Sequence, residues 1–239
     1  GGLMGTLRTA ASLLTVLAAA VPALGAQQAD TRPGLAVLPF ENGGSFGGQQ
    51  GDYDALRRGI AGIMVSELSQ NPSVRLVDRA EAQRILDEQE LAASGRLDQS
   101  TAIRVGRLVG ARYMITGTFI ELNGEFRLDA RLINVETGEI MKVVRNDPQY
   151  RTVSQLYRII QSASERIMAG TTLSALPASA APAPTAREVP TEALNLYSRA
   201  LLYEDRGDRS RAIEFYERAL DRFPEFTEAK EGLKKARGA

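Results

Sequence analysis

Glu125-Phe126-Arg127-Leu128-Asp129-Ala130-Arg131-Leu132 alternates charge with apolar bulk at every step. Successive side chains of a strand point to opposite faces, so Phe126, Leu128, Ala130 and Leu132 make a core face while Glu125, Arg127, Asp129 and Arg131 stay wet. Just upstream stands Asn123-Gly124, a dipeptide that accepts the positive φ angles of a tight hairpin turn. A plain two-residue loop would oppose Leu122 to Glu125 and Ile120 to Arg127. One extra bulged residue would oppose Ile120 to Phe126, apolar to apolar, and the bulged register is the one expected. Thr137-Gly138 makes the next turn, so Arg112 to Val144 reads as an antiparallel meander of three strands.

Upstream of the meander the hydrophobic period switches between strand and helix. Leu35 to Phe40 is a continuous apolar run, as expected of a strand buried on both faces, with Pro39 near its end where a missing amide donor does least harm. A helix follows from about Tyr53 to Gln70, with Leu56, Ile60, Ile63, Met64 and Leu68 on one face, Asp52 placed to cap it and Asn71-Pro72 to stop it. Val74 to Val77 is a second strand. Asp78 followed by Glu81 has the form of a capping box for a helix reaching about Ala92, with Ile85 and Leu86 inward. Ser100 to Val109 is a shorter helix expected to bury Ile103 and Leu108 before Gly110 ends it. After the meander, Thr152 to Met168 carries Leu156, Ile160, Ala163 and Ile167 on one side. Residues 33–170 are therefore expected to form a three-layer α/β (α+β) domain, its mixed sheet ending in the meander.

Residues 171–190 change character, holding four Pro and six Ala with no periodic apolar face, and read as a semi-extended linker. Residues 191–239 follow as a small all-α unit. Leu196, Ala200, Tyr203, Gly207, Ala212, Tyr216, Ala219 and Pro224 stand at the spacings of a tetratricopeptide (TPR) repeat, a helix-turn-helix whose small residues let its helices approach. Phe226 to Ala236 reads as the capping helix that follows, with Leu233 as its main apolar anchor. A single such unit buries little surface, so it should stack on the α/β domain, a second subunit or a partner.

Composition excludes several chemistries. The chain has no Cys and no His, which removes disulfides, the thiol nucleophile, the usual general base and most transition-metal sites. No catalytic residue, metal site or cofactor is expected. Asp78 with Glu81, and Asp87, Glu88 and Glu90, are better explained by helix capping and a solvated helix face than as catalytic carboxylates. Lys plus Arg equals Asp plus Glu at 29 each, so the chain lacks the basic excess that nucleic acid requires. Gly43-Gly44-Ser45-Phe46-Gly47-Gly48 follows the first strand and precedes a helix, but it has neither dinucleotide-fingerprint spacing nor a Lys-Ser/Thr pair. It is expected to be a surface loop, with Phe46 and Tyr53 as the aromatics available for ligand contact.

The N-terminus has the layout of a secretory signal over residues 1–26: Arg8, an apolar stretch from Ala10 to Ala20, and small residues near Ala23-Leu24-Gly25-Ala26. The alternative, an uncleaved anchor, would need roughly 20 apolar residues, more than this run supplies.

Leu35-Ala36-Val37-Leu38-Pro39-Phe40, Arg75-Leu76-Val77-Asp78-Arg79, Ile115-Thr116-Gly117-Thr118 and Asn134-Val135-Glu136-Thr137-Gly138-Glu139, in that order with helices between them, resemble the periplasmic domain of the curli secretion channel family, CsgG-like. The resemblance covers roughly residues 33–146. It extends to related domains of the FlgO, HfaB, LpoB and TolB type. It implies a non-enzymatic periplasmic accessory factor in outer-envelope assembly or secretion of surface structures. Such a factor would be peripherally associated with the outer membrane, dock envelope proteins or peptides through the TPR, and be a candidate for homo-oligomerisation. The alternatives are an activator of a periplasmic cell-wall synthase, LpoB-like, and a small-ligand sensor using the glycine-rich loop. The family's lipidation cysteine and barrel hairpins are missing here, the insertion points being closed by Asn123-Gly124 and by the short run from Arg145 to Tyr150. No membrane-spanning segment and no pore are expected in the mature protein.

Overall fold

The computed structural model describes residues 1–2, 30–45, 50–88, 97–169 and 188–238. The expected signal segment, the tip of the glycine loop with Phe46, the end of the second helix and most of the linker lie outside the described residues. The described strands are β1 (Gly34–Val37), β2 (Glu41–Asn42), β3 (Arg75–Leu76), β4 (Tyr113–Leu122), β5 (Glu125–Asn134) and β6 (Ile140–Arg145). The helices are α1 (Gln50–Ser69), α2 (Arg79–Glu88), α3 (Gln99–Leu108), α4 (Leu156–Met168), α5 (Thr191–Asp205), α6 (Arg209–Arg222) and α7 (Thr227–Arg237).

The sheet is mixed, ordered β3-β1-β4-β5-β6, with β2 also paired to β4. β1 runs parallel to β3 and β4, and β4, β5 and β6 form the antiparallel meander. The first strand is broken at Pro39. Val37 faces Ile115 and Glu41 faces Thr118, so one more residue is spent on the β1–β2 side than on β4. Phe40, freed from the ladder, donates its amide to the Arg57 carbonyl of α1. Its ring lies where a side chain of residue 117 would stand, since a Cβ on Gly117 would come within 2.3 Å of it.

One face of the sheet buries Val37, Ile115, Phe119, Phe126, Leu128, Ala130 and Leu132 against α1 and α4, while Ala36, Leu38, Met114 and Ile133 on the other face meet α2 and α3. The α/β segment is thus three layers deep. Helices α5 to α7 add their apolar residues to the α1 and α4 side, and Thr31–Ala239 is one compact unit. Helices α5 to α7 therefore stack on the α/β domain.

Four local expectations are corrected. The hairpin at Asn123-Gly124 is plain, with Leu122 opposite Glu125 and Ile120 opposite Arg127, both turn residues having positive φ, 53° and 82°. The inward series of β4 is Tyr113, Ile115, Gly117 and Phe119; Phe119, not Ile120, meets the core and stacks on Phe126 at 5.6 Å, so no bulge is needed. The irregularity falls between Leu132 and Ile133, opposite β6. In α3 the buried stripe is Thr101, Ala102, Val105 and Gly106, and Leu108 is 52% exposed; the helix is turned so that Gly106 can lie against Met114 and Val135. Helix α1 begins at Gln50, which places Asp52 inside its first turn, not at its cap. The anchor of α7 is Phe226, fully buried, with Leu233 only partly so.

Candidate functional site

Asp78 and Arg79, which close the second motif, lie where α2 meets the C-terminal helices. Asp78 caps α2, its Oδ1 accepting the Ala80 amide at 2.7 Å, while Glu81 is exposed. Lys235 of α7 reaches Asp78 Oδ2 at 3.4 Å. The Ala80 amide and Lys235 hold the Asp78 carboxyl below its ordinary value against the opposing effect of burial. Arg79 is buried and donates to both oxygens of Asp205, at 2.8 and 3.0 Å. Arg58 of α1 meets the same carboxylate at 2.7 Å. Burial pulls the Arg79 guanidinium down, and Asp205 more than reverses this, leaving it above its ordinary value.

This charged junction surrounds a close helix crossing. A Cβ on Gly59 would come within 1.8 Å of Ser198 Oγ, and one on Gly62 within 2.6 Å of the Tyr197 hydroxyl. A helix-interior glycine costs about 1 kcal/mol relative to alanine, and the gain here is backbone approach: α1 lies directly on α5. Asp52 accepts from Arg199 Nε at 2.7 Å at one end of the crossing. Thr191 donates to the Val153 carbonyl at 2.7 Å, tying the start of α5 to the turn before α4.

The repeat-signature residues divide by role. Ala200, Ala212, Tyr216 and Ala219 are fully buried and Leu196 nearly so. Tyr203 stacks on Phe215 at 5.3 Å, Gly207 takes φ 73° between α5 and α6, and Pro224 is exposed in the turn after α6. They hold the helices together.

Tyr53 does not stand on the glycine loop. It is inside α1, half-buried, its hydroxyl donating to Glu121 of β4. Burial and then the Glu121 carboxylate push the phenol up to about 12. It lines a hollow of about 360 Å³ with Leu56, Phe126, Leu156 and Asn195. Phe46, its expected companion, lies outside the described residues.

Two further surfaces were not legible beforehand. A shallow groove of about 500 Å³ on the open side of the meander is lined by Ile120, Leu122, Arg127, Arg145 and Arg151. Val143 stands opposite Arg131 on that same side, and Leu122 and Val143 are 52% and 54% exposed. The second surface is a cleft of about 420 Å³ between α1, α5 and α7, beside the Arg79–Asp205 pair.

The fold and these surfaces define a mixed-sheet α/β domain braced by a helical segment. Residues 17–127 match the family model described as Curli production assembly/transport component CsgG, so this stretch is CsgG-like in sequence. No curated protein matches the chain. Among solved structures, the LpoB C-terminal domain from Salmonella enterica is 22% identical, covering 47% of this chain and 79% of that one, with a TM-score of 0.34. The corresponding domain from Escherichia coli is 25% identical over 51% of this chain and 86% of that one, TM-score 0.32. A PelC dodecamer from Paraburkholderia phytofirmans is 15% identical over 57% and 87%, TM-score 0.34. Among the described residues no helix is long and apolar enough to cross a membrane.

Proposed function

We propose that this protein is a periplasmic, non-catalytic accessory factor in assembly of the outer envelope or secretion of surface structures, acting by protein–protein docking. The observation that carries this reading is the match of residues 17–127 to the curli production assembly/transport family. The chain's lack of His and Cys supports it, as does the engagement of the acidic residues of α2 in helix-surface pairing: Asp87 accepts from Gln83 at 2.8 Å and Glu88 pairs with Arg84.

The C-terminal helices are proposed to be a tetratricopeptide-like unit used as a brace. Helix α5 holds α1 of its own chain, which leaves the open side of the meander as the docking face. Leu122 and Val143 offer apolar contact there, rimmed by Arg127 and Arg145.

The test is affinity purification of the protein from its own envelope, with the Leu122→Asp, Val143→Asp double variant run in parallel. A fibre subunit or secretion component lost from the double variant is the expected result. A cell-wall synthase would instead establish an activator, a second copy of the chain a homo-oligomer. Equal recovery by both forms would remove the meander face from the account.

A further inference from the structure

We propose that the cleft between α1, α5 and α7 receives a basic side chain, a guanidinium or primary ammonium, carried by the partner that the protein docks. The inference rests on the docking reading for its partner, but its chemistry comes from the cleft alone.

Glu228, in the first turn of α7, is 6% exposed and lines this cleft. Its Oε1 accepts from Ser66 Oγ at 3.0 Å and from the Tyr157 hydroxyl at 3.4 Å. Its Oε2 is buried and has no hydrogen-bond partner. Tyr157 also donates to Glu67 Oε1 at 3.1 Å, so one hydroxyl proton is shared between two buried carboxylates. Glu231 lines the same cleft one turn further along α7.

Lys235 is committed elsewhere, 3.4 Å from Asp78 and 3.4 Å from Glu204. Arg79 is taken up by Asp205. No ion pair joins Glu67, Glu228 or Glu231 to a Lys or Arg among the described residues. The α7 N-terminus offsets part of the Glu228 charge but gives Oε2 no donor. A buried carboxylate oxygen without a donor bears its full desolvation cost.

A guanidinium or ammonium answers each feature. It supplies N–H donors to Oε2 and positive charge to Glu228 and Glu231. A divalent metal is a poorer fit, since among the described residues no three acidic side chains cluster as metal ligands. Burial, the first cause, pushes the Glu67 carboxyl up and neighbouring Glu228 adds to the rise, against the lowering effect of the Tyr157 and Gln161 hydrogen bonds.

The experiment is calorimetric titration of the full chain with agmatine, a guanidinium and an amine on one short alkyl stem, against N-butylurea as an uncharged analogue. Agmatine is expected to bind saturably and N-butylurea not at all. Glu228→Gln, which keeps size and shape, should weaken agmatine about tenfold or more. Glu225→Gln, exposed and already paired with Lys230, should leave it unchanged. Equal responses to the two compounds, or undiminished binding by Glu228→Gln, would overturn the proposal. The titration uses the isolated chain, so an envelope purification without partners would count against docking and leave the cleft chemistry standing.

Discussion

Arg79 and Asp205 are 126 positions apart in sequence, and their side chains meet at 2.8 Å with 8% and 3% of their surface exposed. The contact joins the residue that ends the second CsgG-like motif to the last turn of α5. It makes a piece of the α/β framework dependent on the C-terminal helices.

Asp205→Ala should therefore be strongly destabilising, because it leaves Arg79 and Arg58 without their common carboxylate. Removing one member of a buried pair typically costs about 3–5 kcal/mol. Urea unfolding at neutral pH measures it, and the Arg79→Met, Asp205→Leu double variant should recover much of the loss. A double variant no better than Asp205→Ala would mean that the pair does not act as a unit.

Gly59→Ala would stabilise an isolated helix by about 1 kcal/mol. Here the sign should reverse, to a loss of about 1–3 kcal/mol, because the new methyl would lie within 1.8 Å of Ser198 Oγ. Adding Ser198→Gly removes that atom and should restore part of the loss. Thermal denaturation of the three variants decides; a stabilised single variant would show that α1 and α5 are not in close contact.

Glu67 carries the pH dependence. Burial, with Glu228 adding to it, holds its carboxyl above the ordinary 4.5 in the folded protein. The folded state thus binds this proton more tightly than the unfolded chain. Its contribution is fully present below the unfolded value and is lost as pH rises through the folded one. Glu67→Gln should raise the melting temperature at pH 7, have little effect near pH 4, and flatten the fall of stability between them. A variant curve parallel to the parent's would remove Glu67 as the cause.

Because α5 to α7 share a core with α1 and α4, a chain ending at residue 169 should lose cooperativity. Its α1 would lose the cover of Ser198, Tyr197 and Leu201 over Gly59 and Gly62, and Arg79 would lose Asp205. The full chain should show one unfolding transition by calorimetry and by circular dichroism, with the truncated form less stable by several kcal/mol. Two separated transitions in the full chain would show that the C-terminal helices unfold independently of the α/β domain.

The purified protein should not conduct ions across a planar bilayer. Phe126, Leu128, Ala130 and Leu132 of the meander are already buried under α1 and α4 and have no apolar face left for lipid. Stepwise conductance would contradict this.

Most of the framework was legible locally. Alternation in β5, the Asn123-Gly124 turn, the apolar run of β1 and the heptad-like stripe of α1 each depend on neighbours a few positions apart, and the sequence by itself determined those elements and their order. The helix pair α5–α6 was equally local, since its small residues and Gly207 stand at fixed spacing. What sequence could not supply was the partner of each exposed-looking face. Register at the hairpin was misjudged because it depended on which face of β4 met Phe40 and α1, and the Leu108 side of α3 because it depended on where Gly106 could approach Met114.

The candidate sites belong wholly to this second kind. Gly59 and Gly62 inside α1 were the one local sign of a close crossing, but nothing near them names Ser198 or Tyr197. Tyr53 could be picked out, whereas its bond to Glu121 could not. Glu67, Tyr157 and Glu228 come from three helices, and their shared hydroxyl exists only once α7 has packed beside α1. Periodicity encodes which side of an element is apolar. Only tertiary packing decides which distant side chain shares its burial, because burial couples charges and hydroxyls by distance in space and not along the chain.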